Sequence, residues 1–289
     1  MIFFFCVILI IVLILLRIAF VTLFEREILG LRQNRLSPNK IIFFGILQAL
    51  VDGLKLVKKE LVLPKNSSDL YFIFIPILRF MIIYLEWFLL PYFFNLINWQ
   101  YSVIFLFCLI GLMVYTSLLR GLIRKSKYAF LGSIRSRSQS ISFEIIFSLY
   151  FIALFIFIKS FELNIFINFF NLVFFFLFVL IILVELNRAP FDFSEGEREL
   201  VSGFNVEYRS FSFALLFLAE YGSLIFFRVL ISFIFFSGSL SLIYLIFIIF
   251  LLIRRAFPRF RYDFLINLFW FKLLPLRILY FFFVLVFVL

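Results

Sequence analysis

ELNRAPFDFSEGERELVSGFNVEYRSFSFALLFLAEY, residues Glu185 to Tyr221, begins at the end of one apolar run and finishes inside another. Each run is long enough to cross a bilayer as a helix, which needs about 20 apolar residues. Between Glu185 and Glu207 the chain carries six carboxylates, Glu185, Asp192, Glu195, Glu197, Glu199 and Glu207, against only Arg188 and Arg198. In a chain of net charge +11 this is the one strongly acidic connection. Asn187-Arg188-Ala189-Pro190 ends the preceding helix, because proline has no amide proton to donate and disfavours helix in the residue before it. Gly196 and Gly203 permit tight backbone. Two readings stand: the carboxylates solvate a loop, or a charged segment is held between spans for its proton chemistry.

Composition settles the class. Hydrophobic residues make up 66% of the 289, where soluble domains have roughly 45–50%. The mean hydropathy is +1.20 and 51 residues are Phe. That much apolar surface needs lipid around it. Continuous apolar runs point to helices, since a membrane β-barrel shows alternating segments of about ten residues. Eight runs approach spanning length: 2–24, 70–94, 101–119, 141–158, 165–184, 211–231, 238–253 and 265–289. The expected fold is therefore all-α, one polytopic membrane domain over 1–289 with eight transmembrane helices. No cleaved targeting segment is evident, because Ile2 to Leu16 is too long an apolar run and no small-residue cleavage site follows.

Basic residues orient the bundle. The connections after spans one, three, five and seven hold 8, 6, 3 and 4 Lys or Arg, and the other three hold Lys159 alone. The positive-inside rule puts the four charged connections on the cytoplasmic or matrix side. Much of the net charge is thus topology, and no basic patch speaks for nucleic acid. In the first connection, 40–59 reads as an amphipathic helix in the interface, with Gln48, Asp52, Lys55 and Lys59 at helical spacing. It either anchors on lipid heads or lines a cavity with Asp52 and Lys55. The basic segments at 120–140 and 254–264 serve as inside markers, or the latter as a docking surface.

There is no His, and Cys6 and Cys108 form no cluster. No metal site and no redox centre is expected in this chain alone. Ionisable residues do occur in or near the spans: Arg17, Arg79, Glu86, Glu144, Glu162, Glu185, Glu220, Arg228 and Arg277. Each costs about 2.5–3.5 kcal/mol at a helix centre on insertion scales. Arg17, Glu86, Glu162 and Arg277 are expected to snorkel from span ends. Glu144, Glu185 and Glu220 lie towards the acidic connection, either as a proton path or as structural partners of arginine.

Four stretches carry a resemblance. They are EREILGLRQNRLSPNK with QALVDGLKLVKKE, SKYAFLGSIRS with QSISFE, ELNRAPFDFSEGERELVSGFNVEY with AEY, and RAFPRFRYD. One falls in each charged connection. The chain resembles the family of subunit 1 of respiratory complex I, the membrane subunit of NADH:quinone oxidoreductase beside the hydrophilic arm. The resemblance implies eight membrane helices and a membrane-side wall of a quinone tunnel, with Arg26, Arg35, Asp52, Lys55 and Phe213 on it. It implies coupling of quinone reduction to proton movement through Glu144, Glu185, Asp192, Glu195, Glu197, Glu199, Glu207 and Glu220. Ubiquinone is then the substrate, and FMN and iron–sulfur clusters belong to partner subunits, one of which holds the terminal cluster. The lipid bilayer is the other partner, nucleic acid is not, and the location is the mitochondrial inner membrane or a bacterial plasma membrane. Few Gly, Pro and Ala beside abundant Phe, Ile and Leu suggest translation from an AT-rich genome, which is compatible with an organelle genome. The family has a small residue where Arg198 stands, Gly at Ser37 and Gln at Phe264. The competing functions are the homologous subunit of an energy-converting hydrogenase and a free-standing ion transporter, although no internal repeat supports the latter.

Overall fold

The computed structural model describes residues 2–35, 45, 47–64, 68–91, 101–123, 126–158, 175–192, 208–236, 238–258 and 260–288. Among them every regular element is a helix: α1 (Ile2–Arg32), α2 (Gln48–Lys58), α3 (Asp69–Trp87), α4 (Ser102–Ile123), α5 (Lys127–Ile158), α6 (Phe175–Glu185), α7 (Ser210–Phe236), α8 (Leu240–Ala256), α9 (Tyr262–Asn267), a π-helical turn (Leu268–Leu273) and α10 (Leu274–Val288). Five helices among the described residues are long and apolar enough to cross a membrane: Val7–Leu31, Asp69–Trp87, Ser102–Ile123, Ser210–Phe236 and Tyr262–Val286. Phe175–Glu185 and Leu240–Arg254 are apolar but shorter. Most of the fifth expected span, 165–184, lies outside the described residues.

α7 is the axis. Its side chains are buried without a break from Tyr221 to Ser232, as befits a helix apolar on all sides. It packs against α1, α2, α3, α6 and α8. Gly222 permits this crowding: a Cβ there would stand 3.0 Å from Ile83 Cγ2 of α3 and 3.6 Å from Ile18 Cδ1 of α1. Phenylalanines fill the opposite side, where Phe147 of α5 stacks on Phe178 of α6 at 5.8 Å between ring centroids.

Two helices run furthest beyond the apolar pattern. α1 continues past 24 to Arg32, so Glu25 and Arg26 sit on the helix and not in a loop. α5 starts at Lys127, so most of the basic connection 120–140 is helical. Its serines look like loop residues in the sequence, yet each bonds back to a carbonyl three positions earlier. Ser133, Ser136, Ser138, Ser140 and Ser142 all do so, at 2.7–2.9 Å. α2 begins at Gln48; residues 40–44 and 46 of the expected amphipathic helix lie outside the described residues.

Snorkelling fails for two of the four residues. Glu86 is 0% exposed and Arg277 1%. Arg277 instead lies over the Tyr150 ring, 4.4 Å from its centroid, which desolvation strengthens. Arg17 is exposed, and Glu162 lies outside the described residues.

Candidate functional site

Side chains or backbone from all four charged connections meet at one end of the bundle. α6 ends where Asn187 turns into the left-handed region at φ 48°. Gln139 of α5 then donates to Val184 O at 3.0 Å and to Phe191 O at 3.2 Å, clamping the Asn187–Pro190 turn from both sides. The Phe260 amide donates to Pro190 O at 3.0 Å, and Phe260 stacks on Phe191 at 5.3 Å. Ser138 and Tyr262 share a short hydroxyl contact. The acidic segment is thus fastened at its start to α5 and to the last charged connection.

Behind this clamp is a cavity of about 150 Å³. Three carboxylates line it, Glu185, Asp192 and Glu220, facing four arginines, Arg79, Arg120, Arg188 and Arg254. Glu220 Oε1 is 4.0 Å from both Arg79 Nη2 and Arg120 Nη1. At that separation the pairs are electrostatic contacts rather than hydrogen bonds. Glu144 on α5 lies within electrostatic reach of Glu185. One oxygen each of Glu144 and Glu185 is buried without a hydrogen-bond partner among the described residues. A loosely paired set of carboxylates along a polar cavity can exchange protons with water; the arginines favour their ionised forms, and their mutual repulsion limits how many negative charges gather.

Glu25 forms a second, tighter centre. It is 3% exposed and accepts from Tyr221 Oη at 2.8 Å, with Arg254 in direct ion-pair contact and Arg188 Nη1 at 3.6 Å. The Arg188 guanidinium also lies 4.0 Å from the Tyr221 ring centroid. Four elements are tied at one carboxylate: α1, the turn after α6, α7 and the end of α8.

The expected tunnel residues fall partly together. Arg26, next to Glu25, pairs with Asp52 of α2 at 2.9 Å. Lys55 is exposed on α2, and Arg35 is exposed just beyond α1. Phe213 stacks on Phe217 at 6.1 Å, and Phe217 packs on Tyr221 at 4.5 Å. Spaced four apart on α7, these rings form one stripe. It runs from the small core of Phe72, Tyr208 and Leu216 to the cavity, which Phe217 and Tyr221 line. Glu195, Glu197, Glu199 and Glu207 lie outside the described residues.

Glu25, Arg120 and Arg254 belong to this charged cluster, whereas the sequence reading treats them only as flanks or inside markers. Arg120 is 0% exposed. A signal existed for it: the apolar pattern of α4 continues past Arg120 through Leu122 and Ile123, which makes it an interior cation.

The fold and this site define a multi-helix membrane protein with a charged cavity built between its helix ends. The NADH dehydrogenase family model matches residues 5–285. The chain is 41% identical to NADH-ubiquinone oxidoreductase chain 1 of Locusta migratoria, covering 95% of this chain and 92% of the relative. It is 41% identical to the protein of that name in Apis mellifera ligustica, over 93% and 92%, and 37% identical to that of Metridium senile, over 94% and 89%. The chain belongs to the NADH dehydrogenase subunit 1 family.

Proposed function

We propose that this chain is a membrane core subunit of a proton-translocating NADH:ubiquinone oxidoreductase, forming a wall of the quinone tunnel and coupling quinone reduction to proton movement. Its relatives are named as a chain of that oxidoreductase. The observation that carries the reading is the aromatic stripe Phe213–Phe217–Tyr221, which leads along α7 from the small core of Phe72, Tyr208 and Leu216 to the cavity of Glu185 and Glu220. Quinone binds along α2 and α7, with Arg26, Arg35, Asp52, Lys55 and Phe213 on the wall. Electrons come from FMN and iron–sulfur clusters in partner subunits, and this chain supplies none of them. A change of charge at the quinone shifts protons among Glu220, Glu185 and Glu144, with Asp192, Glu195, Glu197, Glu199 and Glu207 feeding them from the acidic connection.

The chain is one domain of eight spans in the mitochondrial inner membrane, its four charged connections on the matrix side. The meeting of residues from all four at one end supports that orientation. Purification of the chain with its partners tests the assignment. Co-isolation of iron–sulfur subunits with NADH:ubiquinone activity is expected; hydrogenase partners, or none, would overturn it. Cysteines placed at Ser138 and at Asn95 should label from opposite sides of sealed vesicles.

A further inference from the structure

Glu86 is a buried carboxylate that the coupling scheme leaves unused. It stands seven positions beyond Arg79 on α3, about two turns along the same face. Its exposure is 0%, and neither carboxylate oxygen has a hydrogen-bond partner among the described residues. Around it α3 is apolar: Ile82, Ile83 and Trp87 are buried, and Trp87 packs edge-on against Phe226 of α7 at 6.2 Å. A carboxylate left ionised in such a place, with no donor, is strongly disfavoured; a proton, water or a cation must satisfy it. The charges that reach it are Glu185 of α6 and Arg79 of its own helix. Arg79 reaches Glu185 as well, as does Glu144 of α5. Arg120 of α4 and Glu220 of α7 stand further off, at the Arg79 end.

We propose that Glu86 is a proton-binding site that exchanges with Glu185, extending the carboxylate series along α3 beyond the cavity. The inference rests on the coupling role given above to Glu185. In the step, the O–H bond of the Glu185 carboxyl breaks, water relays the proton, and an O–H bond forms on Glu86. The negative charge passes from Glu86 to Glu185. Arg79 is the cation whose field covers both ends, so no charge is created away from a counter-charge. The step is a relocation of one proton and needs no oxidant or reductant.

The test uses the assembled complex in lipid vesicles. Infrared difference spectra between oxidised and quinol-reduced states read protonated carboxyl groups through their deuterium-sensitive C=O stretch. Glu86→Gln and Glu86→Leu are each expected to remove one such band, and Glu86→Asp to restore one. Proton yield per NADH should fall in the first two, by less than in Glu185→Gln. In the unaltered complex, dicyclohexylcarbodiimide, an apolar reagent for protonated carboxyls, should give an adduct at Glu86 by mass mapping. This arm holds even if every variant fails to assemble, and no adduct there would overturn the proposal. A full set of bands in an assembled Glu86→Gln or Glu86→Leu complex would overturn it too. Normal proton yield and spectra in Glu185→Gln would instead bring down the coupling role itself.

Discussion

Glu25 and Glu185 stand at the same end of the bundle and are held in opposite ways. Glu25 is closed off by a tyrosine hydroxyl and two arginines from three other elements. Glu185 lines the cavity with one oxygen buried and unpartnered among the described residues. A carboxylate with both oxygens engaged keeps its charge and fixes geometry; one with an unpartnered oxygen in a polar cavity can change its proton. The contrast separates the part of this site that holds the helices from the part that handles charge. It also explains why the arginines number more than the carboxylates there: two of them, Arg188 and Arg254, are occupied by Glu25.

The sharpest break of this contrast is Glu25→Leu. It strands Arg188 against an apolar side chain, where loss of a buried partner costs up to about 3–5 kcal/mol, while Arg254, 39% exposed, is partly rescued by solvent. The complex should fail to assemble, or lose its stability on native gels and in thermal melts, whereas Glu185→Gln assembles. Tyr221→Phe comes next. It takes one hydrogen bond from a charged acceptor, worth about 1.5–3 kcal/mol, and leaves both arginines in place. Assembly should survive with a lowered melting temperature. If Tyr221→Phe melted like the unaltered complex, the hydroxyl would not be part of the clasp.

Glu185→Gln should shift stability by less, on the order of 1 kcal/mol as for a typical substitution. Its effect belongs in the proton yield per NADH and in quinone reductase activity, both lowered with NADH oxidation by an upstream artificial acceptor preserved. Asp52→Leu breaks a half-exposed pair with Arg26 whose worth is about 0–1 kcal/mol. Quinone kinetics should change all the same, because α2 is read as tunnel wall. Normal quinone kinetics in an assembled Asp52→Leu complex would make α2 an anchor on lipid.

Much of this was legible in residues alone. The apolar runs announce the helices, and Asp52 lies on α2 as its helical spacing predicts, paired there with Arg26. What escaped the sequence is which charges are interior. A cation at the edge of an apolar run, such as Arg120, reads as an inside marker until α5 folds against α4. Gly121 beside it permits that contact: a Cβ there would lie 2.2 Å from Ser133 Oγ. Likewise Glu25 and Glu86 sit near span ends in sequence, where water is the default partner. Partners far apart in the chain, Arg254 for one and the packing of α3 on α7 for the other, close them off from bulk solvent.

The smallest expected stability effect lies in the acidic connection, where Glu195, Glu197 and Glu199 surround Arg198 in sequence. If they only solvate a loop, neutralising one shifts stability within about 0.5 kcal/mol and does nothing else. If they share a confined space leading to the cavity, mutual repulsion raises their proton affinity and ties their titrations together. The resemblance places a small residue where Arg198 stands, and a cation there favours the ionised form of its neighbours. Glu197→Gln or Glu199→Gln should then lower quinone reduction and proton yield in a complex of unchanged melting temperature. Arg198→Ser should be mild. The deciding measurement is the pH profile of quinone reduction beside the proton yield, with Glu185→Gln as reference. A profile displaced in both glutamate variants places the acidic connection with Glu185, among groups that move charge. Profiles and yields that match the unaltered complex would leave it as a solvated loop, and the charge-moving part of the site would begin at the cavity wall.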